Sequence, residues 1–161
     1  MFIYSVRAGT LKLFGFIALA LVLAIGVVLI GTDSAVEAGA TGEIDYSGIK
    51  TSEDRVNFIE QFGIKVKNEP IEEISFAIPE NFDRVILGYN ELQKKQGLDL
   101  SKYAKKRVTR YTYKVENYDW DGEVYANIFV WRSRIVGCDI SSADPNGFVA
   151  PLTLVDKAKL K

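Results

Sequence analysis

Between residues 94 and 114 the chain carries eight cations and one acid, Asp99. The cations come from a predicted helix end, a loop and one face of a predicted strand, so they can converge into one basic surface. Such a surface attracts polyanions: acidic proteins, anionic polymers or lipid headgroups. Residues 41–83 hold ten acids against four bases, so the competing reading is that the two halves of the domain neutralise each other. The candidate binding residues on this surface are Lys102, Lys105, Lys106, Arg107, Arg110 and Lys114. Asn90, Gln93 and Asp99 join them as candidates. Tyr89, Asn90, Gln93 and Gln96 recur at three- and four-residue spacings along one predicted helix. Their amides either bond neighbouring backbone or, with Asp99 and Tyr103, line a ligand groove.

Catalytic chemistry has little to start from. The chain contains no histidine, which excludes Ser-His-Asp and Cys-His catalysis and every zinc site that uses histidine. Cys138 is the only cysteine, so no disulfide forms within the chain, and its apolar strand context reads as a small buried side chain. A histidine-free hydrolase is the alternative from another functional class. It would use Ser101 with Lys102 or Lys105 as a Ser-Lys pair, or paired carboxylates from Glu72-Glu73 and Glu80-Asp83. Turn and element ends account for the same residues. Asp119-Trp120-Asp121-Gly122-Glu123 begins like a calcium loop, but Phe129-Val130-Trp131 stands where a bidentate Glu belongs, so a hairpin turn is expected there. No catalytic residue, metal site or cofactor is expected.

The elements that must position these residues begin with an uncharged apolar run over residues 13–31. As a helix it spans roughly 28 Å, close to the ~30 Å hydrocarbon core of a bilayer. The reading is a cytoplasmic stub (1–12), a transmembrane helix (13–31), a flexible tether (32–50) and an extracytoplasmic domain (51–161). Arg7 and Lys12 before the run, against Asp33 and Glu37 after it, place the N-terminus in the cytoplasm. Secretion after cleavage near Ala38-Gly39-Ala40 is the alternative. Net charge is −1, so no nucleic-acid partner is expected.

Within the domain, Thr51 is a predicted N-cap for a helix ending at Gly63. Residues 64–67 and 73–78 read as strands, and a second helix starts at Pro79 and closes at Gly97. Alternation predicts strands over 107–117, 123–131 and 135–140, with the segment beyond them irregular. Both faces of 123–131 are apolar, so that strand is expected at the centre. The fold class is α+β, two helices packed on one face of a mainly antiparallel sheet.

One recurring set of residues points further: Tyr89-Asn90, Gln93, Gln96-Gly97, Asp99-Leu100 and Tyr103, then Arg110-Tyr111-x-Tyr113, Asn117-Tyr118 and Gly137-x-Asp139-Ile140. The set resembles an uncharacterised family of small membrane-anchored proteins of Gram-positive bacteria, domain of unknown function 4830, over roughly residues 51–150. The resemblance implies an N-terminal anchor, a compact extracytoplasmic domain and no assigned activity. Glycine is usual in that family where this chain has Cys138. Together these readings lead to an anchored, non-catalytic module that binds a protein or an envelope polymer.

Overall fold

The computed structural model describes residues 44–144 and 146–161. The stub, the expected membrane span and most of the tether lie outside them. Among the described residues no helix is long and apolar enough to cross a membrane.

The first helix, α1 (Ser52–Glu60), starts where local chemistry dictates. Thr51 Oγ1 accepts the Asp54 N–H at 3.1 Å, and the Asp54 carboxylate accepts the Thr51 N–H at 2.7 Å. This reciprocal box satisfies donors that the helix itself leaves unpaired. Gly63, at φ +85°, ends the segment. The strand expected over 64–67 shrinks to a single bridge between Val66 and Val115. A side chain serves its backbone instead: Asn117 accepts the Lys65 N–H at 2.8 Å and donates to the Gly63 carbonyl at 2.9 Å.

Strand β1 (Glu72–Ala77) follows, and then α2 (Arg84–Lys94). Pro79 does not open that helix. Asp83 does, its carboxylate accepting the Val85 and Ile86 N–H groups at 3.0 and 2.8 Å. A short 3₁₀ turn (Leu100–Tyr103) leads into β2 (Arg107–Lys114), β3 (Val124–Trp131), β4 (Arg134–Ser142) and β5 (Val149–Ala150). The last of these lies in the stretch expected to be irregular, because two residues are too short to show a period. All pairings are antiparallel and each strand lies beside its sequence neighbour, in the order β1-β2-β3-β4-β5. The β3–β4 turn has two central residues, Arg132 and Ser133, at φ +46° and +62°. This is the turn hand that matches the twist of the paired strands.

β3 is central, and its two apolar faces are covered by different helices. Val124, Ala126 and Ile128 share a core with Tyr113, Cys138 and Ile140 and with Val56, Phe58 and Ile59 of α1. Phe129 packs with Val108, Val136 and Tyr89, bordered by Val85, Ile86 and Leu92 of α2. The helices therefore lie on opposite faces, not on one. A strand apolar on both sides needs cover on both.

Residues 44–50, expected to close the tether, are packed against the domain. Tyr46 and Ile49 are buried. Ile135 donates its N–H to the Tyr46 carbonyl at 2.8 Å, and Ile49 donates to the Ser133 carbonyl at 3.0 Å. The open edge of β4 is thus covered in sequence along its length. Residues 46–49 take its start, β5 takes Ile140 and Ser141, and the gap between them at Cys138 is filled from α2.

Candidate functional site

The structure disperses the basic residues. Arg110 is only 7 % exposed and its guanidinium meets the Glu72 carboxylate at 2.5 Å. It was expected on a solvent face, but that face of β2 also carries Val108, which packs with Tyr89 of α2, and Arg110 lies near the buried Asp139. Lys114 pairs with Glu123 at 2.5 Å and Lys105 with Glu80 at 2.7 Å. Arg107 and Lys114 stand at opposite ends of β2, roughly 23 Å apart and on opposite faces by strand alternation. What stays together is the segment entering β2. Lys102, Lys106 and Arg107 are exposed there, and none of the ion pairs among the described residues involves them. Lys105 lies among them at φ +63°.

Asn90 comes together with Asp99, whereas Gln93 is bonded separately, to β4. Asn90 donates to Asp99 at 2.9 Å and accepts the Leu100 N–H at 2.7 Å. Asp99 also accepts from the Ser101 N–H and hydroxyl at 3.0 and 2.6 Å. These contacts, the Ser101 hydroxyl foremost and then Asn90, hold the Asp99 carboxyl below the usual carboxylate range. Gln93 is fully buried. Its carboxamide accepts the Cys138 N–H at 2.9 Å and donates to the Cys138 carbonyl at 3.0 Å. Gln96 donates to the same carbonyl at 2.6 Å and accepts from Thr153. The amide polar atoms of Asn90 and Gln93 are bonded within the domain, the structural role that the sequence reading set against a ligand groove.

A second polar cluster escaped the sequence reading. On the α2 face, the register sets Thr112, Asn127 and Asp139 side by side across three strands. Thr112 donates to Asn127 at 2.8 Å, Asn127 to Asp139 at 2.9 Å, and Tyr89 from α2 to the other Asp139 oxygen at 2.6 Å. Burial pushes the Asp139 carboxyl up, opposed by the hydrogen bonds from Tyr89 and Asn127 and by the Arg110 charge. Burial likewise pushes the Tyr89 phenol well up, with the Asp139 charge adding to it. Alternation assigned Thr112 to the same face as Arg110, expected towards solvent, and only the strand register sets it beside Asn127 and Asp139.

Asp139 makes a prediction with a definite sign. Its folded carboxyl binds a proton more tightly than the unfolded one. Its contribution to stability therefore falls as pH rises from about 4, the unfolded value, through the raised folded value, and stays low above it. Asp139→Asn removes that cost, since the Tyr89 hydroxyl can rotate to accept from the new amide. The variant is expected to be more stable than the parent at neutral pH. Urea titrations of the full chain between pH 4 and 8 would show the advantage shrinking as pH falls. An advantage independent of pH would remove Asp139 from the account.

The residues proposed for a hydrolase are engaged in the fold. Glu72 and Glu73 are adjacent strand residues and project to opposite faces, and Glu72 holds Arg110. Glu80 pairs with Lys105, and Asp83 caps α2. The Ser101 hydroxyl donates to Asp99. Cys138 is buried, and burial pushes its thiol well up, the opposite of what a reactive thiolate needs. Among the described residues no group of three or more His, Cys, Asp or Glu side chains is placed to hold a metal ion.

No curated protein and no solved structure matches the chain. A family model does, over residues 58–140, and its span takes in the Gln93 and Asp139 clusters. With just over half of the chain matched, this protein belongs to the family described as Domain of unknown function (DUF4830).

Proposed function

We propose that this chain is a membrane-anchored extracytoplasmic domain that binds an anionic partner, an acidic protein or an envelope polymer, and turns over no substrate. The observation that carries the reading is the group Lys102, Lys106 and Arg107. These three are exposed on one short segment, whereas Lys94, Lys105, Arg110 and Lys114 are each paired with an acid. Exposed cations that make no ion pair create a local positive potential despite the near-zero net charge. The uncharged run over residues 13–31 supports the anchor, and its flanking charges support the orientation.

The test is crosslinking in cells of the tagged full-length chain, compared with Lys102→Ser/Lys106→Ser/Arg107→Ser. Arg110 is left in place because it is buried against Glu72. Each cation near an anionic surface is worth about 1 kcal/mol, so recovery of the partner should fall on the order of tenfold or more. Equal recovery of the same partners from both forms would refute the reading.

A further inference from the structure

We infer that the end of the sheet carrying the β3–β4 turn faces the membrane and docks on anionic phospholipid headgroups. The inference rests on the anchor and the basic-surface reading above, and it names the partner and adds residues to the surface. The pairing of Thr109 with Val130 and of Trp131 with Arg134 brings the start of β2, the end of β3 and the start of β4 to one end of the sheet. Arg107, Arg132 and Arg134 are all exposed there, on strands about 4.8 Å apart. The Tyr103 ring packs edge-on against Trp131, centroids 5.5 Å apart, which holds the Lys102–Lys106 segment to the same end. The Arg132 guanidinium lies over the Trp131 ring, 4.8 Å from its centroid.

Partly buried Trp131 and Tyr103 with exposed Lys and Arg around them match the composition that settles at the headgroup level of a bilayer. The opposite end of the sheet carries charges of both signs. The loop between β2 and β3 presents Glu116, Asp119, Asp121 and Glu123, all exposed, and Lys65, Lys114, Lys159 and Lys161 lie beside them. An anionic surface is therefore drawn more strongly to the end that gathers Arg107, Arg132 and Arg134.

The first described residues run towards the basic end, since Tyr46 bonds Ile135 and Ile49 then bonds Ser133. The twelve residues from 32 to 43 can reach at most about 43 Å. A domain of this size has a radius of gyration of about 13 Å. The anchor thus keeps the basic end at a high effective concentration of headgroups, and weak individual contacts suffice.

The two tryptophans, Trp120 and Trp131, sit at opposite ends of the sheet and report on the orientation. The full-length chain would be reconstituted into vesicles of phosphatidylcholine, alone or with phosphatidylglycerol, carrying shallow brominated acyl chains. Trp120→Phe leaves Trp131 as the only indole, and Trp131→Phe leaves Trp120. In phosphatidylglycerol vesicles bromine is expected to quench Trp131 at least twofold more than Trp120. About 0.5 M salt, or Arg107→Ser/Arg132→Ser/Arg134→Ser, should remove the difference. Equal quenching of the two indoles overturns the inference, and so does Trp131 quenching that neither salt nor the charge variant reduces. Loss of a crosslinked partner from the Lys102/Lys106/Arg107 variant, without preferential quenching of Trp131, would overturn lipid docking and leave the proposed function standing on a polymer or an acidic protein.

Discussion

Gln93→Leu is expected to destabilise the domain by about 3 kcal/mol, roughly 10–20 °C in Tm for a domain of this size. The side chain is fully buried, and its carboxamide makes with Cys138 the two hydrogen bonds that a residue of an adjacent antiparallel strand would make. Leucine fills nearly the same space, so the cost is not a cavity. It is the Cys138 N–H left inside without an acceptor, and a carbonyl that keeps only the Gln96 amide at 2.6 Å. Each buried group stripped of its partner costs about 1–3 kcal/mol.

Gln93→Glu separates this account from a simple loss of shape. A protonated carboxyl at this position can accept from the Cys138 N–H and donate to its carbonyl, whereas an ionised one faces that carbonyl with a buried charge. Burial raises the folded pKa of such a group, so this variant should recover stability as pH falls towards about 4. Urea unfolding of the full-length variants at pH 7.5 and pH 5 measures both effects. If Gln93→Leu stays within about 0.5 kcal/mol of the parent, within the range of an ordinary surface change, the amide does not complete the sheet.

The second large effect lies one residue earlier than Cys138. A Cβ on Gly137 would meet Phe129 Cδ2 at 2.6 Å and Leu100 Cδ2 at 3.1 Å. The position is tight because β4 bulges there. Phe129 is paired with Gly137 and Val130 with Ile135, which leaves Val136 as the extra residue. Phe129 has little room to yield, with Phe76 and Tyr89 set edge-on to it at 5.8 and 6.0 Å. Gly137→Ala is expected to cost about 2–3 kcal/mol, and Gly137→Val more.

Two comparisons make the assignment specific. Phe129→Leu should absorb part of the Gly137→Ala penalty, giving a coupling of about 1 kcal/mol in a double-mutant cycle. Gly88→Ala, on α2 where an added Cβ meets nothing within 4 Å, should instead stabilise by about 0.5–1 kcal/mol through helix propensity and unfolded-state entropy. Additive penalties at Gly137 and Phe129 would show that backbone strain, not ring contact, sets the cost.

Both effects bear on function through the same residues. Tyr89, Gln93, Gln96, Asp99, Gly137 and Asp139, all within the set that carries the family resemblance, hold α2 and its following turn to β4. That attachment sets where the turn and the Lys102–Arg107 segment stand relative to Trp131. A variant that loosens it is expected to disturb the basic end indirectly, so binding experiments on the charge variants need the folded state verified first.

What the sequence determines by itself is whatever a few neighbouring residues decide. The Thr51–Asp54 box places the start of α1, and alternation over 107–117 and 123–131 places β2 and β3. The two apolar faces of 123–131 already require a central strand covered on both sides. The uncharged run over residues 13–31 is likewise a property of the sequence, and the anchor proposed here stands on it.

Tertiary structure alone decides where polar residues find partners. Arg110 meets Glu72 across 38 positions, Gln93 meets Cys138 across 45, and Tyr89 meets Asp139 across 50. No periodicity reaches that far, so the local pattern puts Arg110 on the surface, leaves Gln93 between a structural role and a groove, and gives Asp139 no role. The same holds for the basic residues. Ion pairing and strand position removed Arg110 and Lys114 from the surface cluster, and the antiparallel register brought Arg132 and Arg134 beside Arg107. Side-chain charge is written in the sequence. Whether that charge faces water, an acid or another cation depends on which strands lie side by side.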